Sequence, residues 1–439
     1  GNKEKHNPKS GMVAGNTFVN INGGHIGHSV YGGGSMGAVG TITSEEKHES
    51  ENNGFALSWP YKFVFAEGTG KATVNITGGH IGNNNQDGGD VFGSTRGEAG
   101  DRYTTSHLAY VKETEVNVNY SEQDMTTAEN AIATMESDVS IPCITGSVHG
   151  SGEDGYVYGD THVTLNKGLI GHSLYGAGKG KGTYQVTLNK IAGGGTYTSN
   201  IYSLIAGKVF GNTSVTMNGG IVGRNVYGGG NMASVGKGNY AGGADDYYPA
   251  GYGETLTGNL WTSTSNGDNA WEFLNSGKTT VNVFGGKVGI ITTAVKNNMP
   301  YGNVFGGSAG EAAPDIPAGL EPRYEYCPAF YSGYVNETNV TIGGYKCMTA
   351  YDTYKVGDCI TAKQFESVSE DNASKWEQVG PTIAASVYGG GQDGHVRRDT
   401  KVTVNSGVIG LAYDTANQGK LGTTNLDDPQ WMHRGNVYG

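Results

Sequence analysis

The run "NVYGGGNMASVGKG" at residues 225–238 places an aliphatic and an aromatic residue directly before three glycines. Two close copies occur elsewhere, "SVYGGGSMGAVG" at 29–40 and "SVYGGGQDGHV" at 386–396. Glycine loses more conformational freedom on folding than any other residue, so a glycine run is costly unless the backbone geometry requires it. The three copies therefore indicate a repeated unit with one repeated geometry.

A second motif recurs together with the first and precedes it. It reads "NTFVNINGGHIG" at 16–27, "KATVNITGGHIG" at 71–82 and "NTSVTMNGGIVG" at 212–223, with further copies at 160–171, 278–289, 337–346 and 400–410 and degenerate copies at 113–119 and 183–189. The order within a unit is fixed: a Thr-x-Val-x-Ile segment, a Gly-Gly corner with Ile-Gly, the Val-Tyr-Gly-Gly segment, and a short Val-x-Gly segment. The chain thus carries about nine copies of one unit.

Apolar and polar residues alternate at period two in each segment, which predicts short, half-buried β-strands. A unit of roughly 20 to 30 residues cannot bury its apolar face alone, but stacked copies can. We expect an all-β chain folded as a right-handed parallel β-helix (β-solenoid) of about nine coils, in which each residue pairs with its counterpart one coil along. At a strand spacing of about 4.8 Å, the rod would be roughly 40 Å long. The glycines are expected at corners with positive φ.

Long insertions interrupt the units, at 41–71, 119–146, 237–278, 310–337, 345–386 and 411–435. They carry all five tryptophans, Trp59, Trp261, Trp271, Trp376 and Trp431. Long loops on a rigid scaffold commonly hold binding residues. Two hypotheses remain open: the insertions pack on the rod and shield it, or their aromatic side chains contact a glycan or a partner. Because both ends of the sequence fall within a repeat, we expect a single solenoid segment of a longer chain.

A column of aromatic residues follows the aliphatic residue of the Val-Tyr-Gly segment. Its predicted members are Tyr31, Phe92, Tyr175, Phe210, Tyr227, Phe305, Tyr388 and Tyr438, with Tyr158 as a further candidate. Stacked rings would lie about 5 Å apart, each pair contributing about 0.5–1.5 kcal/mol. Neighbours in a strand face opposite sides, so either the aliphatic or the aromatic column lies inside. The ladder therefore either fills the core or forms an outward stripe for sugars or a partner chain.

Acidic residues in turns are the candidates for catalysis or calcium binding. Polysaccharide-cleaving enzymes need paired carboxylates on one face, and Asp90 and Asp160 would meet only if they share a register. Weak calcium candidates are the turns at Asp87 and Asp90 and at Asp245 and Asp246, which lack a full ligand set. No acid recurs at a repeat position, so we predict no enzymatic activity, no cofactor and no bound metal.

The histidines and cysteines show no metal-binding motif. His25 and His80 share a repeat position, but later copies place Leu169, Ile221 and Lys287 there, so both histidines are predicted to face outward at a corner. The four cysteines, Cys143, Cys327, Cys347 and Cys359, show no CxxC spacing, which argues against zinc. Cys347 and Cys359 lie 12 residues apart in one insertion and could form a disulfide.

The composition narrows the class of protein. The chain has 439 residues, a formal net charge of −12 and 16% charged residues, and no basic stripe of the kind that binds nucleic acid. No run of 18 apolar residues occurs, so no membrane-spanning helix is predicted. The hydrophobic share of 36%, which includes 27 tyrosines, argues against a disordered chain.

The complete unit resembles the repeats of very large secreted surface proteins of gut Bacteroidetes. The resemblance covers the strands of the whole chain but not the insertions. It implies a β-helical, adhesin-like, extracellular molecule of the bacterial cell surface, and it brings no catalytic residues. We therefore expect a non-catalytic structural or adhesive protein that forms a stalk or filament, by self-association or as part of a longer rod. The alternatives are a carbohydrate-binding adhesin that uses the aromatic insertions, and a polysaccharide lyase or hydrolase.

Overall fold

The computed structural model describes residues 10–46, 62–83, 88–97, 108–180, 184–189, 196–201, 206–236, 276–289, 301–310, 333–368, 370–396, 398–410 and 435–439. Most of the secondary structure is β-strand, and the two largest sheets contain 14 and eight strands. Neighbouring strands in both sheets run parallel and come from successive repeat units. The prediction of an all-β chain is confirmed.

The first strand of each unit contains the Thr-x-Val-x-Ile pattern. Eight first strands stack in the larger sheet: Thr17–Ile26, Lys71–Ile81, Glu113–Asn119, Thr161–Lys167, Thr213–Met217, Lys278–Val283, Glu337–Ile342 and Thr400–Val404. Like residues pair with like, so Val19 pairs with Val74 and Val74 with Val116. The valines face the core, and the intervening Asn and Thr side chains face outward.

The second and third strands are much shorter. The separate second strands are Cys143–Ile144, Leu169–Ile170, Ile221–Val222, Lys287–Val288, Thr382–Ile383 and Val408–Ile409, and they belong to the larger sheet. The third strands form the eight-stranded sheet and are Val30–Tyr31, Val91–Phe92, Val148–His149, Leu174–Tyr175, Val226–Tyr227, Val304–Phe305, Val387–Tyr388 and Val437–Tyr438. The larger sheet holds both strand types because Lys71–Ile81 continues around the Gly-Gly corner and pairs with both.

The Val-x-Gly segment supplies a fourth point of contact between units. Val39, Val111, Val157, Val209 and Val235 pair in series, two of them within the strands Tyr110–Val111 and Tyr156–Val157. Val335 pairs with Val396 in the same way. Most neighbouring units in the described part of the chain are therefore joined at four positions.

One of the nine predicted copies is wrong. The segment 183–189 falls on strand Tyr184–Asn189, which pairs antiparallel with Thr196–Ile201 in a separate hairpin. Its alternating pattern is that of any amphipathic strand, and no Ile-Gly and Val-Tyr segments follow it at the repeat spacing. The described part of the chain therefore contains eight stacked first strands.

Within the described residues, three of the predicted insertions contain secondary structure of their own. The first holds the hairpin Ile42–Glu46 and Lys62–Phe65. The second holds the helix Glu122–Asn130, capped by Ser121, and the 3-10 helix Ile132–Thr134. The fifth holds an antiparallel sheet of Gly344–Cys347, Cys359–Ile360 and Trp376–Val379, with the helix Ala362–Phe365 and the 3-10 helix Glu370–Lys375. The strands Cys143–Ile144 and Thr382–Ile383 also fall within ranges assigned to insertions, yet they are repeat strands.

The main core is a set of aliphatic columns enclosed by the first, second and third strands. Val74, Val116 and Val215 from first strands, Ile170 from a second strand and Val226 from a third strand all belong to it and are fully buried. Burying one such side chain contributes about 1.5–3 kcal/mol. Because the same position is apolar in every unit, the core runs without interruption along the stack.

A buried threonine ties the first strand to the third strand of the same unit. Thr161 Oγ1 donates to the carbonyl of Gly176 at 2.6 Å, and Thr213 Oγ1 donates to that of Gly228 at 2.5 Å. The same bond is made at Thr114, Thr279 and Thr338. The bond satisfies a buried carbonyl and explains why the Thr-x-Val-x-Ile segment begins with threonine.

The first glycine after the aromatic residue is required by close packing. A Cβ on Gly228 would lie under 3.0 Å from the carbonyl oxygen of Gly306 in the next unit and 2.8 Å from Thr279 Cβ. Gly228 does not have positive φ, so the expectation of positive φ is wrong for the glycine run. The expectation of positive φ is correct at the Gly-Gly corner, where Gly79 and Gly220 have φ of 90° and 78°.

We expect Thr213→Val to lower the free energy of unfolding by about 1–3 kcal/mol, because it leaves the buried Gly228 carbonyl without its hydrogen bond. The matched control is Thr216→Val on the outward side of the same strand, which is expected to change stability by less than about 0.5 kcal/mol. Urea denaturation followed by circular dichroism measures both. Equal stabilities of the two variants would contradict the role of the threonine.

Candidate functional site

The aromatic ladder of the structure is a continuous stack of eight rings on the third strands. Its members are Tyr31, Phe92, His149, Tyr175, Tyr227, Phe305, Tyr388 and Tyr438. Successive ring centroids are 4.7–5.1 Å apart and the rings are within 2–12° of parallel. The ladder runs without a break from Tyr31 to Tyr438.

The structure brings together seven of the eight predicted ladder residues. Phe210 is the exception: it packs beside Tyr156 and Tyr158, next to the fourth-segment residue Val209. The sequence Val-Phe-Gly at 209–211 matches the Val-Tyr-Gly pattern of the third strands, so the pattern wrongly predicts Phe210 as a ladder residue. His149 takes the missing place, and the frame "SVHGSG" at 147–152 is the signal that could have found it.

The aromatic ladder faces away from the main core, yet its interior is buried. The aliphatic residue before each ring, such as Val226, belongs to the main core. Tyr175, Tyr227 and Phe305 form a separate cluster on the other face of the sheet, with Ala309 packed on it. Phe92 and Tyr227 are only 1% and 2% exposed, whereas Tyr438 at the last unit is 41% exposed. The ladder is thus a second buried layer beneath loop residues rather than an outward stripe.

A row of polar residues stands immediately before the aliphatic residue of each third strand. Its side chains accept hydrogen bonds from the backbone N–H of the next unit: Ser147 N donates to Asp90 Oδ1 at 2.7 Å, and Asn303 N to Asn225 Oδ1 at 2.9 Å. Ser147, Ser173, Asn303 and Ser386 accept in the same way. The row links successive units and explains the Ser or Asn before Val-Tyr.

Asp90 and Asp160, the acids considered for catalysis, do not meet. Asp90 belongs to the polar row before a third strand, whereas Asp160 precedes a first strand and accepts from Asn212 N at 2.8 Å. The two residues occupy different positions of the unit, so they share no register. Both carboxylates act as hydrogen-bond acceptors between units.

Around Asp90 lies a group of polar side chains that we call the outer polar cluster: Asp90, His149, His172, Lys179 and Arg224. Asp90 Oδ2 is 3.2 Å from Lys179 Nζ. Burial alone would raise the pKa of Asp90, but His149, Lys179 and the Ser147 N–H together hold it below its usual value. Asp90 therefore stays ionised in this partly buried setting.

Both histidines of the outer polar cluster are neutral near pH 7. Burial lowers the pKa of His149 to about 4, and burial together with the Arg224 charge lowers that of His172 to about 4. Arg224 Nη2 lies 2.9 Å from His172 Nε2, and the guanidinium lies 5.0 Å from the Tyr301 ring centroid. Since the arginine can only donate, His172 Nε2 accepts and the proton resides on Nδ1.

Of the predicted tryptophan contacts, only Trp376 can be placed. It is 8% exposed, and its Nε1 donates to the Tyr351 hydroxyl at 2.8 Å inside the fifth insertion. Trp376 therefore stabilises its own insertion and is not an exposed contact. Outside the described residues lie Trp59, Trp261, Trp271, Trp431, Asp87, Asp245, Asp246 and Cys327.

Cys347 and Cys359 are free thiols. Cys359 lies directly opposite Lys346 on the neighbouring strand, so Cys347, one residue further, points to the other face of the sheet. A disulfide between them would require the strand to rotate. The two cysteines therefore do not bridge.

His25, His80 and Cys143 occupy one column at the second strand. His80 is buried under the second insertion, where Nδ1 donates to the Ile141 carbonyl at 2.7 Å, so the prediction that it faces outward is wrong. Burial raises the pKa of the Cys143 thiol to about 12. In the part of the chain that the structure describes, no group of three His, Cys, Asp or Glu side chains is arranged to hold a metal ion.

Comparison with known proteins supplies no relative. No protein-family model, no curated protein and no solved structure matches the chain. Within the described ranges, no helix has the length and apolarity needed to cross a membrane. The functional argument therefore rests on the geometry of this chain.

Proposed function

We propose that this chain is a non-catalytic structural segment of an extracellular stalk or filament on a bacterial surface, wound as a right-handed parallel β-solenoid. The observation that carries the proposal is the in-register stacking of like residues over eight units. The paired strands, the aromatic ladder and the polar row all continue from one unit to the next along the stack. Such an array resists bending and extends by addition of further units.

The last described unit has an edge that suits a further unit. Val404 and Val437 are 46% and 48% exposed, whereas their partners in the preceding unit, Ile342 and Val387, are fully buried. Unpaired strand edges with apolar side chains favour pairing with another strand. A further unit with the same motif, in the same polypeptide or in a second copy, would bury these side chains.

Two observations weigh against catalysis as the main role. The carboxylates of Asp90 and Asp160 act as acceptors between units and do not converge on one face. The aromatic ladder, which could have bound sugars as an outward stripe, is covered along most of its length. The residues at repeat positions thus serve stacking, which fits a scaffold.

Negative-stain electron microscopy of the purified protein tests the proposal. We expect rods or fibres, and we expect the double variant Val408→Lys and Val437→Lys to give single short particles with unchanged circular dichroism, because buried lysines would oppose strand addition. The control is Val64→Lys on the first insertion, which should still form rods. Compact globular particles from the unaltered protein would contradict the proposal.

A further inference from the structure

We infer that Arg224, Lys179 and His172 form a binding site for an oxyanion, a carboxylate or a sulfate, on the side of the stack. This site goes beyond the proposed scaffold role and does not depend on end-to-end association. The chain as a whole has a formal net charge of −12. The five residues of the outer polar cluster nevertheless carry two permanent cations, Lys179 and Arg224, against the one carboxylate of Asp90, and His172 interacts with all three charges.

The charge of Arg224 is not balanced within the described residues. Lys179 pairs with Asp90 at 3.2 Å, whereas Arg224 makes no ion pair there and contacts the neutral His172 and the Tyr301 ring instead. A partly buried guanidinium without a counter-charge is costly. An oxyanion bound beside it would supply that charge.

The donor geometry of Arg224 fits an oxyanion. A guanidinium has five N–H donors in a planar fork that matches the oxygens of a carboxylate or sulfate. One donor is used by His172 Nε2 at 2.9 Å. The bond to His172 and the stacking on Tyr301 fix the plane of the fork, so less conformational freedom is lost on binding.

The protonation state of His172 matters for the site. The Arg224 charge is one of the causes that lower the pKa of His172. Because the neutral ring supplies the Nε2 acceptor that holds Arg224, the geometry of the site is intact near pH 7 and is lost when His172 is protonated.

The test is isothermal titration calorimetry with four probes: sodium sulfate, sodium acetate, a sulfated oligosaccharide and a uronic-acid oligosaccharide. We expect Arg224→Gln to weaken binding at least about tenfold, the effect of one lost charge-assisted pair. Lys179→Gln should weaken it less, because Lys179 is already paired with Asp90. The control is Arg96→Gln, since Arg96 is exposed and lies beside Glu153, outside the cluster.

The probes also separate the sources of the anion. Equal affinity for free sulfate and the sulfated oligosaccharide would identify a site for small ions, and tighter binding of one oligosaccharide would identify an acidic glycan carrying that group. A shift of the His172 ring signals in NMR on titration of the unaltered protein reports binding even if Arg224→Gln folds poorly. The inference is overturned if no probe binds at millimolar concentration, or if Arg224→Gln folds and binds as well as the unaltered protein.

Discussion

Gly228→Ala is expected to lower the free energy of unfolding by about 3 kcal/mol or more, at the upper end of the range for overpacked cores. The added methyl group would meet the carbonyl oxygen of Gly306, and it would also press on Thr279 Cβ at 2.8 Å. The first contact is with backbone that is itself held in the third-strand sheet, so neither side can move without breaking inter-unit hydrogen bonds. Urea denaturation followed by circular dichroism measures the loss.

Gly390→Ala is the matched control, in the same Val-Tyr-Gly-Gly motif of a later unit. A Cβ on Gly390 has no atom within 4 Å, and its φ is not positive. Its replacement is expected to change stability by less than about 1 kcal/mol. If Gly228→Ala proved as stable as Gly390→Ala, the close approach of successive units at this glycine would be wrong.

The columns of the fold could be predicted because each is defined by several identical residues. Val19, Val74 and Val215 follow the same alternating pattern, so the sequence alone predicts their common column. The prediction for the copy at 183–189 is wrong because it rests on alternation alone. Alternation predicts a strand but does not identify the strand with which it pairs. Only the segments that follow a strand at the repeat spacing distinguish a stacked strand from a local hairpin.

The ladder shows a second limit of sequence patterns. The pattern predicts Phe210 as a ladder residue because Val-Phe-Gly matches the Val-Tyr-Gly segment, although Val209 belongs to the Val-x-Gly segment. The pattern does not predict His149, because histidine is not one of the aromatic residues that define it, although the flanking residues fit. The polar row before each third strand was present in the sequence as Ser, Asn or Asp, but only the bonds to the next unit reveal its role.

The outer polar cluster could not be predicted, since its members come from four different units. Lys179, which follows the third strand Leu174–Tyr175, reaches Asp90 two units away, and no spacing in the sequence encodes that contact. Side chains at non-repeated positions are set by tertiary packing alone. Specialised sites on a repeat scaffold are therefore the part that a repeat pattern leaves undetermined.

Acidification from pH 7 to 4.5 is expected to destabilise the middle of the stack. His149 and His172 have pKa values of about 4 in the folded chain against 6.5 for an unperturbed histidine, so the unfolded chain binds more protons below pH 6.5. Their contribution to stability is present above pH 6.5 and is lost as the pH falls towards 4, on the order of 3 kcal/mol for each ring. Protonation of Asp90, whose pKa is lowered in the folded chain, reduces stability only at still lower pH.

His149→Phe isolates the contribution of the ladder histidine. Phe92 and Phe305 occupy equivalent positions, so phenylalanine should keep the stack while removing the group that must be protonated. We expect the variant to lose about half as much stability as the unaltered protein between pH 7 and 4.5, measured as the shift of the urea midpoint. His162→Asn, on the exposed outward face of a first strand, should leave the loss unchanged. If His149→Phe were as acid-sensitive as the unaltered protein, protonation of this buried ring would not be what weakens the stack.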